Sequence, residues 1–282
     1  MKLSLYWVDA FANKPFRGNP AGVVPLEQWL PDEVMQHIAF ENGLAETAFF
    51  VKTAPGCFHL RWFTPAVEVD LCGHATLASA FILFTQLGQT GSLVTFESRS
   101  GPLSVRRLSS LPSEALAKEG GPLTVSRQDD LLELDFPSTR PTPESAASRD
   151  VAAAIGQTPL WLGRTKFDLF AVLPDAPTVQ SLQPDLAKVA ALGGRGLLVT
   201  ARGTDCDFVS RFFAPQSGIA EDPATGSTHC ALIPYWAGSL GKTKLFARQL
   251  SARSGEFFCE LRGDRVGIAG HAVLYLRGEI IV

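Results

Sequence analysis

The sequence AEDPATGSTHCALIPYWAG, residues 220–238, places two adjacent carboxylates directly before a long segment that carries no charge. A similar arrangement, EVDLCGHATLASAFILFTQLG, occurs much earlier, at residues 68–88. A helix that is apolar on all sides is typical of the interior of a domain. Two such helices in one chain predict two domains, each with its own buried helix.

The residues before these two helices also resemble each other. RWFTPAVEVDLCGHAT at residues 61–76 and SRFFAPQSGIAEDPATGST at residues 210–228 share an Arg-aromatic-Phe strand, a proline and a turn. The order strand, loop, helix, strand, strand, uncharged helix and hairpin runs twice along the chain. Chance echoes occur in many α/β chains, but a repeat of this length favours internal duplication.

We therefore predict an α+β fold of two similar domains related by a pseudo-twofold axis, each a curled mixed sheet around a central helix. The predicted domains are residues 1–120 and 121–282, and the last strand can return to the first half. The polar segment 109–121 is predicted to be a linker or a long hairpin. Strands are predicted at residues 2–9, 21–24, 46–51, 58–64, 93–97, 103–107, 131–136, 168–173, 196–200 and 207–214. Besides the two uncharged helices, helices are predicted from residue 31 to Gly43, at 150–155 and at 185–192.

The composition indicates a globular protein with a substantial core. The 282 residues are 46% hydrophobic and 19% charged, which argues against disorder. The net charge of -3 gives no general attraction to nucleic acid or to anionic membranes. The apolar run at residues 71–87 is shorter than the about 20 residues that span a bilayer, and Asp9 interrupts the first apolar stretch. These features exclude a membrane-spanning helix and a signal peptide from our interpretation.

The five cysteines are odd in number and include no CxxC pair. Free thiols in a reducing cytoplasm are therefore expected, and a structural zinc site is not. A metal site made of Cys72, His74, His229 and Cys230 is conceivable, but their spacings match no familiar metal-binding pattern, so no metal is predicted.

The start of each uncharged helix is a candidate binding site. A buried helix N-terminus carries unpaired N–H groups and a partial positive charge, which suit an anion such as a substrate carboxylate. The small polar residues 73–76 and 225–228 allow such an approach. The structural alternative is that Asp222, Thr225 and Ser227 only cap their own helix.

Two further side chains leave a functional and a structural interpretation open. Glu46 begins the apolar sequence ETAFFV, and a carboxyl group in apolar surroundings can exchange protons near neutral pH. On its own, however, it could equally be an ordinary glutamate at a strand edge. His74 could serve the site or only donate a structural hydrogen bond.

Four ordered motifs give the chain a resemblance to the PhzF-like phenazine biosynthesis family. They are VDAFANKPFRGNPAGVV, ENGLAETAFF, RWFTPAVEVDLCGHATLASA and RFFAPQSGIAEDPATGSTHCALIPYW. The resemblance covers nearly the whole chain. It implies the fold of diaminopimelate epimerase, an active site between two similar domains, no cofactor, and a homodimer. No GxGxxG or GxxxxGK[ST] nucleotide motif is present either.

The resemblance also implies roles for particular residues. The glutamate of the E-T-x-F motif, here Glu46, moves a proton between carbons of a dihydroaromatic amino acid in the PhzF-like isomerase. Asp222 and His74 are implied to orient the substrate and to assist proton transfer. The remaining residues expected to bind substrate are Cys72, Gly73, Thr225, Gly226 and Ser227.

One departure from the family pattern bears on the substrate. The usual Asn-Leu-Ser before the glutamate is Gly43-Leu44-Ala45 here, so a serine hydroxyl is lost beside Glu46.

The leading hypothesis is a cofactor-independent isomerase acting on a small carboxylated, cyclic or unsaturated metabolite. The first alternative is a protein that binds a small molecule or a partner without turnover. The second is a two-thiol amino-acid epimerase or racemase. Cys72 stands in the position of one thiol, but the matching stretch of the second half has no cysteine and Cys230 lies inside the helix.

Overall fold

The computed structural model describes residues 1–108 and 131–282. These residues form two compact units, one containing Met1–Asp135 with Ala269–Val282 and the other containing Phe136–Ile268. The predicted linker and the predicted boundary after residue 120 lie outside the described residues. The C-terminal strand belongs to the first unit.

The first unit is a mixed sheet with two helices. Its strands are β1 (Lys2–Ala10), β2 (Asn19–Leu26), β3 (Glu46–Ala54), β4 (Cys57–Phe63), β5 (Glu68–Val69), β6 (Leu93–Glu97), β7 (Leu103–Leu108), β8 (Leu131–Pro137) and β18 (Ala272–Ile281). The helices are α1 (Asp32–Asn42) and α2 (Gly73–Thr85). The strand order is β18-β1-β2-β3-β4-β6-β7-β8, with β5 also paired to β4. The pairs β2–β3 and β4–β6 are parallel, because a helix crosses over between their strands.

Helix α2 is the core of this unit. Twelve of its thirteen residues are buried, and it contacts β1, β2, β3, β7 and β18. A helix touched by strands from both ends of the sheet requires that sheet to curl around it. The polar side chains inside α2 are satisfied locally, since Thr76 and Ser79 donate to the carbonyls four residues earlier at 2.6 and 2.7 Å.

The second unit repeats this plan. Its strands are β9 (Thr142–Pro143), β10 (Trp161–Arg164), β11 (Asp168–Val172), β12 (Gly196–Arg202), β13 (Phe208–Ala214), β14 (Ile219–Asp222), β15 (Lys244–Gln249), β16 (Gly255–Arg262) and β17 (Arg265–Gly270). Its α-helices are α3 (Ser148–Ile155), α4 (Ala176–Ser181), α5 (Leu186–Ala191) and α6 (His229–Leu240). The order β10-β11-β12-β13-β15-β16 has parallel pairs at β11–β12 and β13–β15 and antiparallel pairs elsewhere. This is the same alternation as β1-β2-β3-β4-β6-β7.

A repeated ion pair marks the duplication at the level of side chains. In the first unit the Arg61 guanidinium meets the Glu68 carboxylate through Nε and Nη2, at 2.7 and 2.8 Å. In the second, Arg211 meets Glu221 through the same two nitrogens, at 2.7 and 2.9 Å. Each bridge joins the strand before the core helix to the short strand beside it. The prediction of two similar domains is confirmed.

The second core helix begins later than predicted. Residues 226–228 form a turn, and the first amides of α6 bond three residues back, from His229 to Gly226 at 3.0 Å and from Cys230 to Ser227 at 3.3 Å. Such i→i+3 bonds tighten the chain into a 3₁₀-type turn, so residues 225–228 precede the helix instead of opening it.

Helix α6 also accommodates a proline. Pro234 has no N–H to donate to the Cys230 carbonyl, which would otherwise lose its partner. The backbone N–H of Thr139 donates to that carbonyl at 2.9 Å. The helix therefore stays buried without an unsatisfied acceptor at this point.

Within the described residues, no helix combines the length and the apolar character that crossing a bilayer requires.

Candidate active site

The first candidate cluster is built around Glu46, the first residue of β3. Helix α1 ends at Gly43, whose φ of 62° reverses the chain and aims it into the strand. Glycine and asparagine are the residues that adopt this left-handed conformation most readily. Gly43, where the resemblance implies an asparagine, therefore suits the helix end.

Glu46, Cys72 and His74 come together at the start of the buried helix α2. Glu46 Oε2 lies 3.2 Å from His74 Nε2, and the Cys72 sulfur lies 3.5 Å from His74 Nδ1. The amide of Asn19 lies 3.2 Å from the same Nδ1. Only 13% of the Glu46 side chain and 6% of the His74 side chain are exposed. Gly73 begins α2, and no side chain caps the helix N-terminus.

The buried groups shift each other's protonation. Burial disfavours a charged His74, but the Cys72 sulfur and the Glu46 carboxylate outweigh it and raise the pKa of His74 well above its ordinary value. Burial and the charge of Glu46 raise the pKa of Cys72 to about 11.

Asn19 was not predicted from the sequence, although it lies within the motif VDAFANKPFRGNPAGVV. The loop before it is held by Asp9, whose buried carboxylate accepts the Phe16 N–H at 2.8 Å. Gly18 has a φ of 66°, and a Cβ there would lie 2.1 Å from the Ala10 carbonyl oxygen. Only glycine fits this turn, which delivers Asn19 to β2 facing His74.

The paired acids of the second unit have different partners. Adjacent residues of a strand point to opposite faces, and Glu221 and Asp222 are the last two residues of β14. Glu221 forms the buried bridge to Arg211. The Asp222 carboxylate accepts a hydrogen bond from the Thr225 hydroxyl through Oδ2. Glu221 is thus part of the scaffold, whereas Asp222 bonds to Thr225, another of the residues predicted to bind substrate.

A buried glutamine, Gln249, organises the turn after Asp222. Its Oε1 accepts the Thr225 N–H at 2.8 Å, and its Nε2 donates to the Asp222 carbonyl at 2.6 Å and to Thr225 Oγ1 at 3.1 Å. The side chain is fully buried. No sequence signal identified this residue, which lies on β15, the strand that follows α6 in the chain.

We expect Gln249→Leu to lower the free energy of unfolding by about 2–3 kcal/mol, because it leaves buried polar groups at Thr225 and Asp222 unpaired. Urea denaturation of both proteins measures the difference. The exposed Gln180→Leu on α4 is the matched control and should change stability by less than about 0.5 kcal/mol. Equal losses in the two variants would contradict this role of Gln249.

Ser227 is held by an arginine that precedes β12. Arg195 Nη1 donates to Ser227 Oγ at 2.8 Å, while its other nitrogens meet the buried Asp168 carboxylate at 2.9 and 2.6 Å. Burial opposes the charge of Arg195, but the hydrogen bonds and charge of Asp168 outweigh it and raise the pKa of the guanidinium. Ser227 is therefore held in place by the ion pair of Arg195 with Asp168.

The predicted residues thus form one cluster in each unit. Glu46, Cys72, Gly73 and His74 lie in the first, and the second contains Asp222, Thr225, Gly226 and Ser227. None of Asp222, Thr225 and Ser227 caps α6, because the side chains of Asp222 and Thr225 bond within the turn and the side chain of Ser227 bonds to Arg195.

Among the described residues, Glu46, Cys72 and His74 are the group whose potential metal-ligand atoms converge, all within 4.8 Å of one another. The other two residues of the metal set considered above have structural surroundings. His229 lies 2.9 Å from the Thr225 carbonyl through Nδ1 and stacks on Phe257 at 3.8 Å between ring centres. Burial raises the pKa of Cys230 to about 12.

Known proteins resemble this chain over nearly its whole length. Residues 8–278 match the family described as phenazine biosynthesis-like protein. A protein of Pseudomonas aeruginosa named as an uncharacterized isomerase is 47% identical over 280 residues, covering 99% of both chains. The human phenazine biosynthesis-like domain-containing protein is 38% identical over 306 residues, covering 99% of both chains.

Solved structures agree in fold. The crystal structure of a PhzF-family phenazine biosynthesis protein from Enterococcus faecalis has a TM-score of 0.88 and 43% identity, covering 100% of both chains. A hydroxyproline epimerase from Agrobacterium vitis shares the fold at a TM-score of 0.61 and 10% identity, covering 99% of this chain and 92% of its own. The α+β fold is that of the epimerase-like proteins, and the chain belongs to the PhzF-like phenazine biosynthesis family.

Proposed function

We propose that the protein is a cofactor-independent isomerase that moves a proton between two carbons of a small carboxylated, cyclic or unsaturated substrate. The family and the isomerase names of its relatives support an isomerase activity. The observation that carries the mechanism is the placement of the Glu46 carboxylate 3.2 Å from His74 Nε2, at an uncapped and buried helix start.

Glu46 is the group that moves the proton. Its carboxylate removes a proton from an acidic C–H bond, and the protonated carboxyl then returns this proton to a second carbon. The same proton reaches the second carbon only if the carboxyl group does not exchange it with water in between. The small exposure of the Glu46 side chain favours such retention.

His74 and the start of α2 stabilise the negative charge that develops on the substrate. The imidazole beside Glu46 can donate a hydrogen bond, and the Gly73 end of the helix contributes N–H groups and a partial positive charge. We assign Asp222, Thr225, Gly226 and Ser227 to substrate binding. The hydrogen bond from Arg195 fixes the position of the Ser227 hydroxyl.

Cys72 fits a contact role better than a catalytic one. A thiol whose pKa is about 11 gives little thiolate at pH 7 and is a weak base in its neutral form. This supports proton movement by Glu46 over the two-thiol mechanism of an epimerase or racemase.

Proton NMR in heavy water tests the proposal on a panel of cyclohexene and cyclohexadiene carboxylates and amino acids. We expect at least one compound to change the position of its double bond in a protein-dependent way. Inversion at one carbon without a double-bond shift would indicate an epimerase. Binding without rearrangement or exchange would contradict the proposal and support a binding protein.

A further inference from the structure

The cluster of Glu46, Cys72 and His74 combines three kinds of metal ligand in one buried place. A thiol, an imidazole and a carboxylate are the donors that zinc uses in proteins, and three protein ligands with one open position are typical of accessible zinc. Hard cations such as Mg²⁺ and Ca²⁺ prefer oxygen donors alone. The donor set therefore favours a thiophilic divalent cation.

The spacing of the donors fits such an ion. Zinc bonds of about 2.0–2.1 Å to nitrogen or oxygen and about 2.3 Å to sulfur place tetrahedral ligand atoms about 3.4–3.6 Å apart. Here His74 Nε2 lies 3.2 Å from Glu46 Oε2 and 4.0 Å from the Cys72 sulfur. All three ligand atoms lie within 4.8 Å of one another, and the Cys72 sulfur would have to move toward Nε2, because it now lies closer to Nδ1, at 3.5 Å.

The surroundings of the histidine suit metal binding as well. A metal-bound histidine usually contacts a partner through its second ring nitrogen, which fixes the orientation of the ring. The Asn19 amide nitrogen, Nδ2, lies 3.2 Å from His74 Nδ1, so Asn19 contacts the ring nitrogen that an ion bound at Nε2 would leave free.

We propose that Zn²⁺ binds to Glu46, Cys72 and His74 and inhibits the enzyme. The thiol proton of Cys72 and the proton on His74 Nε2 leave to solvent as the sulfur and the nitrogen bind. The bound ion occupies the Glu46 carboxylate, so that this group can no longer remove a proton from a substrate. The inhibitory part of the proposal rests on the proposed function, and the binding part does not. It also departs from the sequence-based expectation that no metal binds.

Calorimetric titration of the chelator-treated full chain with Zn²⁺, without substrate, tests the binding. We expect one zinc per chain and an affinity that falls by more than about tenfold in each of Cys72→Ser, His74→Gln and Glu46→Gln. Cys57→Ser is the matched control, because Cys57 lies on β4 outside the cluster. This variant should bind zinc as the wild type does.

Cobalt gives a spectroscopic measurement that does not depend on stability or turnover. Co²⁺ should produce a thiolate-to-cobalt charge-transfer band in the wild type and in Cys57→Ser, and none in Cys72→Ser. Zinc binding well below one equivalent, or an unchanged cobalt band in Cys72→Ser, would overturn the site. If zinc binds but no compound is isomerised, the proposed function fails alone; if turnover is found and zinc does not inhibit it, the inhibition fails alone.

Discussion

Glu46→Gln is expected to lower the rate of isomerisation by about 10²- to 10⁴-fold, the usual contribution of a general acid or base. Glutamine keeps the shape of the side chain and can still accept a hydrogen bond from His74 Nε2, now 3.2 Å from the carboxylate. It cannot accept a proton from carbon. The loss should therefore appear in kcat, with KM changed much less.

The measurement uses whichever compound the wild-type protein rearranges in heavy water. Glu41→Gln, an exposed change near the end of α1, is the control and should retain wild-type turnover. The control separates loss of the base from loss of one negative charge in the same region. Full turnover by Glu46→Gln would show that another group moves the proton, and the mechanism would have to be abandoned.

His229 is expected to make the second unit sensitive to acid. It is fully buried on α6, and burial lowers its pKa to about 4, despite the hydrogen bond to Thr225. The unfolded chain binds the same proton with a pKa of about 6.5, so it holds more protons than the native state between these values. The contribution of His229 to the free energy of unfolding is complete above pH 6.5. It falls by about 3 kcal/mol in all as the pH decreases toward 4.

His229→Phe removes this titration while preserving the ring stacked on Phe257. The Thr225 carbonyl still accepts the hydroxyl of Thr228 at 2.9 Å, so the variant should lose only about 1 kcal/mol at pH 7. Urea denaturation at pH 4.5 and pH 7 should show a smaller difference between the two pH values in the variant. His37→Gln on α1 is the control, since His37 is exposed. An unchanged pH dependence in His229→Phe would contradict the assignment.

The parts of the fold that depend on local chemistry were predictable from the sequence. The strand predicted at residues 93–97 is confirmed as Leu93–Glu97. Helix α1 lies between Pro31 and Gly43, as the helix signals indicated, because a proline and a left-handed glycine act within one turn of the chain. The repeated motif also predicted both core helices, although α6 starts a few residues late.

Short elements were harder to recognise. The strand Trp161–Arg164 and the helix Ala176–Ser181 were missed, because four to six residues carry too little periodicity and depend on packing against neighbours. A signal for the helix was nevertheless present. Asp175 accepts the Thr178 N–H at 2.8 Å, and a proline follows within the first turn.

The residues of the candidate site also differ in whether the sequence could predict them. The resemblance identified Glu46 and His74 through motifs that lie close to them in the chain. Asn19 and Gln249 act on residues 55 and 24 positions away, and nothing in their local sequence distinguishes a buried amide from an exposed one. Such partners become visible only when the fold brings distant strands together.

The two acids of β14 have a consequence for how this segment can change through evolution. Because neighbouring side chains alternate between faces, deleting or inserting one residue before Glu221 would exchange the faces on which the two carboxylates stand. Arg211 would then lose its partner, and the turn at Thr225 would lose its acid. A point substitution here changes one of these contacts at a time, whereas a change of length would disrupt both the Arg211–Glu221 ion pair and the Asp222–Thr225 contact. We therefore expect relatives to conserve the spacing between Arg211 and Asp222.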